Sequence, residues 1–163
     1  PSPGFVNGDD TQMYLDTAAG PMGITPVVDG LHGATLTISN NLDKKRLANG
    51  SNSRKKLAGF ARGARTIELA LTFAKTALTM SEENTLDDDP VPNRYIRIAT
   101  TSATIITGTT PYSYVREGAF HLYSVADGEI GGNATKVLTY HAYYDSTLTY
   151  AYKATVVNTL SAL

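Results

Sequence analysis

A chain of 163 residues with 14 basic and 15 acidic side chains, formal net charge -1, is long enough for one domain with a proper core and too short for two comfortable ones. The near balance of charge excludes a global field that would draw the molecule to DNA or an anionic membrane, so a charged partner has to be met locally. The lack of cysteine excludes disulfides and thiolate metal sites, and no apolar run approaches the roughly 20 residues that span a bilayer, so no membrane partner is expected.

Residues 1–30 carry the turn signals Asn7-Gly8, Gly20-Pro21 and Thr25-Pro26 around the short run Gln12-Met13-Tyr14-Leu15, the one candidate strand among them. They read as an N-terminal extension, an arm that orders on assembly, ahead of a main domain over 31–163. From Ala34 the pattern sharpens. Ala34, Leu36 and Ile38 alternate with Thr35, Thr37 and Ser39, the period of a half-buried strand with one apolar and one hydroxyl face. A second such strand follows at Thr66–Phe73, where Ile67, Leu69, Leu71 and Phe73 alternate with Thr66, Glu68, Ala70 and Thr72.

The connection between these strands, 40–65, is far longer than the two to five residues of an ordinary hairpin, and a connection of that length is usually functional or disordered. It holds Lys44, Lys45, Arg46, Arg54, Lys55 and Lys56, with Arg62 and Arg65 beyond, more than half of the 14 basic residues. Asn49-Gly50 marks a fold-back with basic clusters on both limbs. The segment reads as a docking arm.

Between Lys75 and Pro90 the alternation lapses, and Ser81-Glu82-Glu83-Asn84 is the signal for a short helix that ends before Pro90 and Pro92. Strand patterns resume at Arg94–Ile98, Ser102–Ile106, Tyr112–Ser124, Lys136–Tyr144 and Thr147–Val157, the last two read as a hairpin about Tyr144-Asp145-Ser146, with Gly131-Gly132 as a turn. Abundant threonine and tyrosine, no tryptophan and no long leucine-rich helical pattern favour an all-β class, a β-sandwich or partial barrel with one short helix.

Catalysis leaves a constellation of acid, base and nucleophile, and His32, His121 and His141 stand alone, without paired metal spacing. A satisfied strand histidine is the commoner case for the latter two. Asp87-Asp88-Asp89 lacks the alternate spacing and glycine of a calcium loop. No catalytic or metal residue and no cofactor is assigned, and the chain does not read as an enzyme.

Two readings compete for the basic arm. Nucleic acid is one, but only Phe60 supplies an aromatic there, whereas single-strand binders interleave stacking platforms with charge. The other is a partner of opposite sign, which the chain itself carries in Glu82, Glu83, Asp87, Asp88 and Asp89, with no basic residue between Thr76 and Asn93. Copies could then stack head to tail through a heterologous contact. On charge alone, two solvated loops stand level with that reading.

The stretch Asp9–Asp16, then Gly30-Leu-His-Gly-Ala-Thr-Leu-Thr-Ile-Ser-Asn-Asn-Leu42, a basic loop, Ala61–Phe73, and Tyr143-Tyr-Asp145 ahead of Leu148-Thr-Tyr150 resemble major tail tube proteins of long-tailed, non-contractile (siphophage-type) bacteriophages. The similarity covers most of the chain, and the order of elements carries more than any one motif. Some members carry two such modules, and a chain that opens on Pro1 fits either a whole subunit or one module.

The resemblance implies hexameric or pseudo-hexameric rings stacked into a tube, hairpins that join an inner β-barrel around a channel, and an arm that reaches the next ring. It implies a virion tail location after assembly in the host cytoplasm, a tape measure protein among the partners, and genome ejection through the bore, with double-stranded DNA passing unbound. A duplex gains affinity by releasing counterions to lysine and arginine, so such a bore should be neutral or acidic. Thr35, Thr37, Ser39, Glu68 and Thr72 are the candidate lumen residues. Leu36, Ile38, Ile67, Leu69, Leu71 and Phe73 would pack the other way. Two alternatives remain: a ring-forming distal tail or head-to-tail connector protein, and a glycan-binding β-sandwich using Tyr140, Tyr143, Tyr144, Tyr150 and Tyr152.

Overall fold

The computed structural model describes residues 10–28, 30–46 and 57–159, without side chains for 43–46, 57–62, 104 and 105. Ten strands follow in order: β1 (Thr11–Asp16), β2 (Pro26–Val27), β3 (Leu31–Ser39), β4 (Leu42–Arg46), β5 (Leu57–Arg62), β6 (Thr66–Ala74), β7 (Asn93–Thr107), β8 (Thr110–Ile130), β9 (Asn133–Ala142) and β10 (Tyr152–Val157). One helix, α1 (Ala77–Asn84), and a single 3-10 turn, Thr85–Asp87, separate β6 from β7. No helix among the described residues is long and apolar enough to cross a membrane.

Eight strands form one antiparallel sheet in the order β2-β1-β7-β8-β9-β6-β3, with β10 beside β8. The sheet curls over on itself, so that Leu36 and Leu69 share a hollow with Ile96, Ile98 and Phe120. Alternation explains the core. Leu69, Leu71 and Phe73 of β6, Ile96 and Ile98 of β7, Phe120 and Leu122 of β8, and Leu138 and Tyr140 of β9 all point inward and are buried. The expected apolar face of β6 is therefore real, and Leu36 packs against it from β3, while Ile38 is 48% exposed near the end of that strand.

Four local expectations change. Of the segment 1–30, read as an arm, β1 is a strand of the main sheet flanked by β2 and β7, because Met13 and Leu15 supply two core side chains. The helix starts at Ala77 rather than Ser81. The buried Thr79 hydroxyl accepts the Thr76 N–H and donates to the Thr76 carbonyl, each at 2.9 Å, which closes the first turn and leaves Ser81–Asn84 as the last. Arg94–Ile98 and Ser102–Ile106 belong to one 15-residue strand, β7, whose register against β8 shifts between Thr101 and Ile105.

The fourth change concerns the final hairpin. β10 does not pair with β9; both lie along the same edge of the 21-residue β8, β9 against Phe120–Ile130 and β10 against Ser113–Gly118. The segment 143–151 is an excursion pinched off at Ala119, whose carbonyl accepts the Tyr143 N–H at 3.0 Å and whose N–H donates to the Ala151 carbonyl at 3.1 Å. Asp145 shapes the excursion by accepting the Thr147 and Leu148 N–H groups and the Tyr95 hydroxyl. Those bonds hold its carboxyl below the usual range against a smaller opposing effect of burial.

Candidate assembly surfaces

The five candidate lumen residues come together on the face of the sheet opposite the core. Across β3 and β6, Thr35 stands opposite Ala70, Thr37 opposite Glu68, Ser39 opposite Thr66 and Gly33 opposite Thr72. Thr35 and Thr37 are exposed, while Ser39, Glu68 and Thr72 are half-buried. The register carries this polar surface onward: Glu68 faces His141 on β9, His141 faces His121 on β8, and His121 faces Asn93 on β7. Thr37, Glu68, His141, His121 and Asn93 thus form a row perpendicular to five strands.

The two histidines are not isolated, as they look in the sequence. His141 Nε2 lies 3.4 Å from a Glu68 carboxylate oxygen, Tyr123 stacks on His141 and Tyr143 stacks on His121, both with ring centroids 4.1 Å apart. Each sits on the polar side of its own strand, which was legible; the pairing across strands is a matter of register, which no local pattern records. Among the described residues no group of three or more histidine, aspartate or glutamate side chains is placed to hold a metal ion.

The basic arm is not an irregular loop over the residues described. β4 and β5 pair as a two-stranded ribbon that forms its own sheet, with Lys44 opposite Phe60, Lys45 opposite Gly59 and Arg46 opposite Leu57. Arg54, Lys55 and Lys56, and the fold-back at Asn49-Gly50, lie outside the described residues. The ribbon joins the main sheet at a braced joint. Asn41, at φ +42°, accepts the Ser39 hydroxyl at 2.9 Å and donates its amide to the Ala64 carbonyl at 2.6 Å, and Arg65 Nε donates to Asn40 Oδ1 at 2.9 Å. Gly63 lies so close to the Asn41 backbone that a Cβ there would stand 2.7 Å from its carbonyl oxygen. The pair Asn40-Asn41 therefore has a mechanical reason.

The acidic set divides. Asp87, Asp88 and Asp89 are exposed. Glu83 is half-buried and bound at 2.7 Å by Lys136, which also reaches Asp127 at 3.0 Å. The hydrogen bonds and charges of these two carboxylates raise the Lys136 pKa, against the opposing effect of burial. Glu82 is 4% exposed, bound by Arg94 and by the Tyr140 hydroxyl, so it serves the interior and is corrected as a surface contact. Burial, followed by the Glu82 charge and hydrogen bond, pushes the Tyr140 hydroxyl well above its ordinary range.

The five tyrosines named for a glycan platform do not share an open surface. Tyr140 is in the core, Tyr143 stacks on His121, and Tyr150 donates to Glu117 at 2.9 Å, so that burial and then this bond push its hydroxyl to about 12. Tyr144 alone of the five is largely exposed, at 67%.

No protein-family model and no curated sequence matches this chain. Solved structures do. A chain from the tail of an empty GTA particle, refined with C6 symmetry, superposes with a TM-score of 0.52 at 16% identity, covering 93% of this chain and 98% of that one. A chain of the SPP1 tail tube, from solid-state NMR and cryo-EM, superposes with a TM-score of 0.51 at 8% identity, covering 84% and 75%. The protein is all-β with one short helix, and its fold is the one these tail and tail-tube chains share. The likeness to the first of these covers nearly the whole chain.

Proposed function

We propose that the chain is a structural subunit of a phage-type tail tube, located in the virion tail, whose copies form rings of six that stack into a channel for genome DNA. The observation that carries this reading is the fold likeness over nearly the full length of a chain from a C6-symmetric tail. The sheet edges support it. Among the described residues the outer edge of the nine-residue β3 has no partner, and long free edges are normally covered or closed into a barrel.

In this reading the face bearing Thr35, Thr37, Ser39, Glu68 and Thr72 lines the bore, together with Thr139, His141 and His121. A wall of hydroxyls, a carboxylate and half-exposed imidazoles offers few fixed cations to exchange for DNA counterions, which suits passage without binding. Lys44, Lys45 and Arg46 of the ribbon, with Arg54, Lys55 and Lys56 of the same basic segment, meet Glu83, Asp87, Asp88 and Asp89 of an adjacent ring. A tape measure protein within the bore is the further partner this assembly calls for. The role is architectural, not enzymatic.

Electron microscopy of the purified protein in negative stain tests the reading. Long tubes of uniform width are expected; single rings would favour a connector or distal tail protein instead, and monomers at every concentration would sink both.

A further inference from the structure

Between the β1–β2 end of the sheet and the edge of β3 runs a groove of about 440 Å³. Its lining includes Met13, Val27, Val28, Leu31 and Ala34, together with Arg116 and its strand neighbour Ile98. Val28 is 79% exposed. Arg116 is the unusual member. It extends from the core-facing side of β8, its Nε is buried without a hydrogen-bond partner among the described residues, and its guanidinium lies over the Tyr114 ring, 5.1 Å from the centroid. Arg94 and Arg97 each have a carboxylate, but among the described residues none lies within ion-pair distance of Arg116, and no acidic side chain lines the groove. A half-buried guanidinium with no counter-charge among the described residues is costly, and an incoming carboxylate removes that cost.

The subunit also carries a part that matches. Where β8 turns into β9, every residue of 126–134 is exposed, and the tip closes through Gly131 and Gly132 at φ +57° and +84°, the left-handed pair of a tight hairpin turn. Ile130 is 46% exposed at the last pair before the turn, opposite Asn133, and Glu129 beside it makes no ion pair among the described residues. We propose that the groove receives the β8–β9 hairpin tip of a second copy, Glu129 meeting Arg116 and Ile130 covering the apolar wall at Val28. Tip and groove are different surfaces, so the contact is heterologous and repeats from copy to copy, closing a ring where the rotation allows. The proposal rests on the self-assembly in the proposed function but not on the tube as such.

The absence of cysteine makes site-specific cross-linking the direct test. A tagged Val28→Cys chain is mixed under oxidation with an untagged Ile130→Cys chain, and Val28→Cys with Tyr144→Cys serves as the control. A mixed dimer is expected in the first mixture at about tenfold or more the control yield. Adding Glu129→Lys to the donor should lower that yield about tenfold, and Arg116→Glu in the acceptor should restore it. Should Arg116→Glu unfold the acceptor by circular dichroism, Glu129→Gln and Glu129→Lys at the exposed tip still decide, since both must lower the yield. Equal yields in the two mixtures, or a yield untouched by Glu129, overturn the proposal. Tubes without the cross-link would leave the tube reading standing alone, and the cross-link without tubes would do the reverse.

Discussion

Arg94 directs its Nε–H between both carboxylate oxygens of Glu82, at 2.9 and 3.0 Å, and ties α1 to the start of β7 inside the protein. Tyr140 adds its hydroxyl to the same carboxylate from β9 at 3.0 Å, so three elements meet on one buried charge. Removing one partner leaves the other charge buried and alone. Glu82→Gln is expected to lower stability by about 3–5 kcal/mol in chemical denaturation, whereas Glu82→Leu with Arg94→Met should recover most of that loss. A Glu82→Gln midpoint equal to wild type would refute the account.

Asp16 holds the segment 17–25 by accepting the backbone N–H groups of Gly23, Ile24 and Thr25 at 2.6 to 3.2 Å. Burial raises its pKa, but these bonds and the Thr25 hydroxyl together outweigh burial and lower it. A carboxylate with a depressed folded pKa gives stability that is full above its unfolded value of about 3.9 and disappears as pH falls through the folded value. Asp16→Asn should therefore cost about 1–3 kcal/mol at neutral pH, with the gap to wild type constant above about pH 5 and closing below about pH 4. Denaturation series across pH check this, and a gap that widens in acid would contradict it.

Gly118 sits beside the neck of the 143–151 excursion, where an added Cβ would collide with the Ala151 carbonyl oxygen. That oxygen belongs to backbone already bonded to Ala119, so it cannot step aside cheaply. Gly118→Ala is expected to destabilise by about 1–3 kcal/mol, the usual range for forced overpacking. Hydrogen exchange should show the loss first at Ala119 and Tyr143; unchanged protection there would argue against it.

Reversing charge with Lys55→Glu and Lys56→Glu should shorten or abolish tubes while the folding stability of the subunit stays within about 1 kcal/mol of wild type. Length distributions by electron microscopy give the result. Full-length tubes from the double variant would remove the basic arm from the ring contact.

The strands and their inward faces were legible because alternation is a local signal: Leu69, Leu71 and Phe73 announce a core face without knowing their neighbours. Gly131-Gly132 announced its turn for the same reason. What stayed hidden is non-local. Glu82 looks like one more residue of an acidic surface run until Arg94, and then Tyr140 far along the chain, close on it. β10 follows a convincing turn after β9, yet its partner is β8, because the excursion returns the chain to the edge it had left. His121 and His141 become neighbours only through the β8–β9 register. The basic segment stood out by charge and Asn49-Gly50 marked a fold-back, but the lysines and arginine of β4, which resemble a loop in composition, gave no strand signal.

Among the described residues the ribbon of β4 and β5 shares no strand pairing with the main sheet and is fastened to it at Asn40, Asn41 and the chain around Gly63. In the proposed tube, any change of angle between stacked layers would fall at these joints, away from Leu71 and Phe73 in the core. The proposed bore would then keep its cross-section while the tube bends.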